Sequence, residues 1–144
     1  MRPLVLASAS RYRAQQLRQL GIDFDARAAD IDETPWPHEM ANDLVNRLAS
    51  DKARAIASKC PDAVVIGSDQ VAVLDLEVIG KPGSRVNARR QLRTASGREA
   101  RLFTGLSVLA PWQQPRQHLD VTTVHFRQLD HSPTERCTRS ARTL

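Results

Sequence analysis

Residues 4–7 and 63–67 are short, uninterrupted apolar runs, and each leads at once into a polar cluster. Runs this short fit strands that are covered on both faces. Between them lies a segment of a different character. In residues 39–59, Ala41, Leu44, Val45, Leu48, Ala49, Ala53 and Ile56 recur at steps of three and four, which predicts a helix with one apolar face. Strands alternating with helices restrict the chain to an α/β fold, a mixed twisted sheet flanked by helices. Such folds place ligands beyond the carboxyl ends of strands. Here those ends lead into residues 8–13 and 68–70.

The rest of the chain fits the same pattern. Ser10 is a natural N-cap for a helix running to Leu20, and Gly21 a natural stop. Residues 22–29 read as extended. Residues 30–35 form an acidic loop that Pro35 and Pro37 keep out of helix. Within the long helix, Asp43 and Arg47 are spaced as an exposed i,i+4 ion pair. The strand of residues 63–67 is expected to end at Ser68-Asp69-Gln70. Residues 71–74 and 78–79 flank Asp75-Leu76-Glu77 as a hairpin. A loop follows at 80–83. Ser84 then caps a helix to about Ala95, with Gly97 as its stop, and residues 102–109 and 121–126 read as strands. Residues 131–144 have almost no apolar side chains and no periodicity, so a disordered tail is expected after a domain of residues 1–130.

Composition excludes some classes of function. A 144-residue chain can bury a real core, and its 41% hydrophobic and 26% charged residues are ordinary for a globular protein. The net charge of +5 favours anionic partners such as nucleotides. Arg136, Arg139 and Arg142 against Glu135 supply +2 of that charge in the last segment, so the body is nearly balanced. A specific nucleic-acid surface is therefore not expected, and aromatics for base stacking are scarce at 4%. Cys60 and Cys137 lack metal-ligand spacing and read as free thiols of a reducing compartment. No run fits a signal-peptide core or a membrane span, and a cytoplasmic protein is the expectation.

Several residues can carry chemistry, and each has a plainer reading. Ser8, Ser10, Arg11 and Arg13 combine hydroxyls, guanidinium groups and a helix start, which suits a phosphate. Alone they describe an ordinary capped helix equally well. Asp69 can hold a metal or act as a base toward water, or it can be a turn aspartate bonded to its own backbone. Glu33 can add a second metal-facing carboxylate, or it is a solvated loop charge. Lys52 and Lys81 are candidate phosphate ligands. Their plainer reading is a lysine stem lying along apolar surface.

The strings "LASASRYR", "DETP", "DKA", "VIGSDQV", "GKP" and "FTGL" occur in this order over residues 4–106, and "VHFRQL" follows at 124–129. Taken together, they resemble the Maf family of nucleoside triphosphate pyrophosphatases, whose fold is similar to that of the inosine triphosphatases. The resemblance implies hydrolysis of a nucleoside triphosphate to the monophosphate and pyrophosphate with a divalent metal, Mg or Mn. It implies that Asp69 is the proton acceptor for the attacking water. Ser8, Ser10 and Arg13 then correspond to the phosphate-contacting turn. Glu33, Lys52 and Lys81 correspond to the charged residues around the triphosphate, with Glu33 and Asp69 facing the metal. A homodimer is implied as well.

Tyr12 and Gln70 bear on the substrate. The commonest family pattern has Pro then Arg after the second serine, where this chain has Arg11 and Tyr12. An aromatic at that position and Gln70 resemble the branch acting on 7-methyl-GTP. A methylated guanine is cationic, so an aromatic face attracts it and an arginine repels it. The plainer reading of Tyr12 is a partly buried helix aromatic. The resemblance also implies that a C-terminal part is absent, including strands and one wall of the pocket. Reduced stability or impaired catalysis is the corresponding expectation. Alternative readings are a catalytically impaired remnant, a dTTP or UTP pyrophosphatase, and a non-enzymatic regulator of septum formation.

Overall fold

The structure, a computed structural model, describes residues 1–129. Its elements run β1 (Leu4–Ala7), α1 (Arg11–Arg18), β2 (Asp25–Ala26), α2 (Ala41–Ala57), β3 (Val64–Leu74), β4 (Glu77–Ile79), α3 (Arg85–Ala95), β5 (Glu99–Leu109) and β6 (Arg116–His125). The sheet order is β2-β1-β3-β5-β6, with β4 paired to β3. β1 is parallel to both β2 and β3, while β3 and β4 are antiparallel. The sheet is therefore mixed, and three helices accompany it, as the alternation of patterns predicts.

The described residues form two compact units. The first comprises residues 1–70 and 104–120. Its core joins Val5 and Ala7 of β1, Val65 of β3 and Ala53 and Ile56 of α2. Val5 and Val65 are almost wholly buried, and each such side chain contributes about 1.5–3 kcal/mol. α2 buries Leu44, Val45, Leu48, Ala49, Ala53 and Ile56, the stripe visible in the sequence, and adds Ser50 and Lys52 to it.

α2 lies very close on its strands. A methyl group on Gly67 of β3 would meet the Ala49 carbonyl oxygen and come within 2.8 Å of the Ala53 amide nitrogen. One on Gly105 of β5 would come within 2.6 Å of the Val45 carbonyl carbon. These glycines are required by helix backbone on sheet backbone, not by a turn. Gln117 of β6 also donates to the Ser50 hydroxyl of α2.

The second unit comprises residues 71–103 and those from 121 onward. Leu74, Ala95 and Ala100 form its small core, with Ile79 and Phe126 packed against them. Asp75 and Leu76 both have positive φ, 49° and 77°, and close the β3–β4 hairpin as a two-residue turn. Ser84 caps α3 through the Asn87 amide, and Gly97 follows with φ of 68°.

The sequence reading is corrected at four elements. β3 does not end at Ser68 but continues to Leu74. The extended stretch 22–29 contains only a two-residue strand, β2. β5 and β6 begin at Glu99 and Arg116, earlier than the apolar residues alone suggest. The expected tail, 131–144, lies outside the described residues. Among the described residues, no helix is long and apolar enough to cross a membrane.

Candidate active site

Three charged residues from three segments meet in the first unit. Along β3, alternate residues Val65, Gly67 and Asp69 share one face, and that face meets α2. Val65 packs with Ala53 and Ile56, Gly67 abuts Ala49 and Ala53, and Asp69 meets Lys52. The Lys52 ammonium lies 2.7 Å from Asp69 Oδ1 and 2.8 Å from Glu33 Oε1. Lys52 and Asp69 are buried, while the Glu33 side chain is 57% exposed. A buried charge must be paired, and here a lysine and a carboxylate pair each other. The turn-aspartate reading of Asp69 is thereby overturned, because the residue lies within a strand and its bonded partner is Lys52. Lys52 is no solvent-seeking lysine either. Among the described residues, Asp69 Oδ2 carries no hydrogen bond.

The serine-rich turn assembles as a unit. Ser8 is buried, and its hydroxyl accepts from the Ser10 amide at 3.1 Å and from Arg13 Nη1 at 3.3 Å. Ser10 caps α1 by accepting from the Arg13 amide at 3.4 Å. Ala7 is paired with Gly67, so Ser8 follows β1 at the level where Ser68 and Asp69 continue β3. Ser8, Ser10 and Arg11 also line a solvent-open cleft of about 640 Å³ with Gln15, Arg18 and Ala26. A helix start, hydroxyls and arginines suit an anion.

The specificity candidates stand differently. Tyr12 is 53% exposed on the first turn of α1, so it is not the partly buried aromatic of the plainer reading. Gln70 is exposed and donates through Nε2 to Thr104 Oγ1 at 2.8 Å. Lys81 is exposed in the loop after β4, in the second unit. Asp69, Lys52 and Glu33 come together, as do Ser8, Ser10 and Arg13, all within the first unit.

Sequence reasoning missed the clamp on the acidic loop. Arg47 does not pair with Asp43. Its Nε lies 2.6 Å from Glu39 Oε1 and its Nη2 2.8 Å from Oε2, a two-pronged contact. Nη2 also donates to the Thr34 carbonyl at 3.1 Å, and the guanidinium sits 4.2 Å from the Trp36 ring centre. The Arg47 hydrogen bonds hold the Glu39 carboxyl down to about 2, against the effect of burial, and the Trp36 amide adds to this. Trp36 between two prolines was the available signal, but its partner lies on another element.

The donor set can be tested for a divalent metal. No group of three or more His, Cys, Asp or Glu among the described residues forms a metal cage. Asp69 and Glu33 supply two hard carboxylates around one ammonium. Mg²⁺ is commonly held by one or two carboxylates together with substrate phosphates and waters. Two carboxylates fit that mode and do not fit a closed protein site.

The family model described as Maf-like protein matches residues 3–144, beyond the last string read in the sequence. A 7-methyl-GTP pyrophosphatase of Alkalilimnicola ehrlichii is 49% identical over 93% of this chain and 68% of its own length. Another of Nitrosococcus oceani is 48% identical over 88% of the chain and 64% of its own length. The chain thus spans about two thirds of the length of these relatives. Among solved structures, the Ham1 protein of Staphylococcus aureus superposes with a TM-score of 0.60 at 16% identity, covering 85% of this chain and 71% of its own. A HAM1 protein from Coxiella burnetii gives 0.58 at 14% identity, covering 87% and 73%. Those two likenesses establish the fold alone. With the family model spanning nearly the whole chain and relatives close to half identical, the chain belongs to the Maf family.

Proposed function

We propose that the chain hydrolyses a nucleoside triphosphate, foremost 7-methyl-GTP, to the monophosphate and pyrophosphate. One observation carries the reading: a buried lysine on α2 joins a strand carboxylate and a loop carboxylate, at 2.7 and 2.8 Å. Lys52 holds Asp69 through Oδ1, which leaves Oδ2 to accept the proton of an attacking water. Arg13, Ser8 and Ser10 offer donors to phosphate oxygens at the start of α1. Lys52 and Lys81 add positive charge where negative charge must be neutralised. Asp69 and Glu33 would hold a divalent cation, Mg or Mn, which supplies charge neutralisation of the phosphates. Tyr12 offers an exposed ring to a cationic base. The preference for 7-methyl-GTP is supported by that ring and by the relatives that are 7-methyl-GTP pyrophosphatases. Cytoplasmic residence, the expectation from the sequence, and a homodimer, implied by resemblance, belong to the same proposal.

The test is pyrophosphate release from 7-methyl-GTP, GTP, dTTP and UTP with Mg²⁺ or Mn²⁺. Asp69→Asn should lower kcat about 10²–10⁴-fold, the usual contribution of a general base, and chelation should abolish turnover. A wild-type rate in Asp69→Asn would sink the reading. A preference for dTTP or UTP would move the chain to another substrate branch.

A further inference from the structure

We infer that Arg47 is a positioning residue for catalysis: it fixes the acidic loop so that Glu33 reaches Lys52. The inference rests on the role proposed for Glu33. Glu33 is largely exposed, and among the described residues its ion pair is with Lys52. An exposed carboxylate held by one ion pair is weakly placed by that contact alone. The loop around it, by contrast, is tied down. Thr34, its neighbour, donates its amide to Asp32 Oδ1 at 2.9 Å and gives its carbonyl to Arg47 Nη2 at 3.1 Å. Trp36 donates its amide to Glu39 Oε2 at 2.9 Å and lays its ring against the Arg47 guanidinium at 4.2 Å. Glu39, at the far end of the loop, takes both prongs of the same guanidinium. One side chain therefore gathers the loop at Thr34, Trp36 and Glu39.

Arg47 also lies on α2, which carries Lys52 five residues later. Asp51, 3.7 Å from Arg47 Nη1, steadies it from that same helix. The loop carboxylate and the lysine that receives it are thus referred to one rigid element. A planar fork is needed for this, since it contacts a carboxylate with two nitrogens, a carbonyl with one and an aromatic face at once. Lysine, a point charge, cannot reproduce it.

The test compares Arg47→Lys, Glu33→Gln and the double variant of the full chain. Arg47→Lys should raise the Mg²⁺ concentration needed for half-maximal pyrophosphate release and lower kcat roughly ten- to a hundred-fold, as a misplacement near 1 Å does. KM for nucleotide at saturating metal should change little. The double variant should be no worse than Glu33→Gln. Independent, multiplying losses would overturn the inference, because Arg47 would then act elsewhere. A silent Glu33→Gln would overturn it too, while Asp69→Asn would still report separately on the hydrolase reading. In a Trp112→Phe background Trp36 is the sole tryptophan, and Arg47→Lys should change its emission without substrate present. If Arg47→Lys fails to fold, Trp36→Leu removes only the stacking face. A smaller shift in metal requirement of the same sign is then expected, and no shift overturns the proposal.

Discussion

Replacing Gly67 with alanine tests how Lys52 and Asp69 are brought to hydrogen-bonding distance. The added methyl would lie 2.8 Å from the Ala53 amide nitrogen and 2.9 Å from the Ala53 methyl, and it would also strike the Ala49 carbonyl. Ordinary carbon contacts need roughly 3.5–4.0 Å. α2 must therefore lift by about 1 Å, or β3 must bend. Overpacking of this kind costs about 1–3 kcal/mol, occasionally more. For a chain near 150 residues, each kcal/mol moves the melting temperature by about 2–4 °C, so a fall of roughly 2–12 °C is expected. Activity should suffer further. Lys52 Nζ stands 2.7 Å from Asp69 Oδ1, and a lift of about 1 Å takes that contact beyond hydrogen-bonding range. Removing the Ala53 methyl as well should not restore either quantity, because the other obstacles are backbone atoms. The assays are a thermal melt and kcat/KM for pyrophosphate release. A Gly67→Ala protein with both values unchanged would refute the close-seating argument.

Two further outcomes are expected. Tyr12→Arg should shift preference away from 7-methyl-GTP toward uncharged bases, read as the ratio of kcat/KM values on 7-methyl-GTP and GTP; an unchanged ratio removes Tyr12 from base recognition. The Glu39 carboxyl is held down to about 2 by its hydrogen bonds from Arg47. Its folded value lies below the unfolded one, so its stabilising effect is full above the ordinary carboxylate range and is lost as pH falls toward about 2. Emission from Trp36 in the Trp112→Phe protein should stay constant from neutral pH through the ordinary carboxylate range and change only as pH approaches about 2. A transition near neutrality would count against the clamp.

What the sequence disclosed follows from the range of its signals. Local ones were reliable. Ser10 and Ser84 cap helices, the α2 stripe is the buried face, and the hairpin turns at Asp75-Leu76, with Glu77, expected in the turn, opening β4 instead. Lys52 was readable too, because it falls in phase with Leu48 and Ile56 on the apolar stripe, yet lysines of that kind usually turn outward. Polar residues at 68–70 looked like a strand end. They are mid-strand because partners on other elements satisfy them: Lys52 for Asp69 and Thr104 for Gln70. Arg47 chose Glu39 over Asp43 because the loop folds back along α2, a fact of tertiary geometry that helical spacing does not contain.

The placement of Asp69 divides the candidate site into a part fixed by the sheet and a part fixed by side-chain contacts. Its strand is bonded to β1 before it and to β4 after it, and its side chain is 11% exposed. The carboxylate therefore needs almost no reorganisation to meet a water, and its orientation was settled when the protein folded. Glu33, 57% exposed and reached through a loop, has the opposite character. Its place depends on the Arg47 contacts to Thr34, Trp36 and Glu39, whereas that of Asp69 belongs to the sheet. On the proposed roles, damage to the Arg47 clamp would be felt first at Glu33, while the strand carboxylate keeps its place.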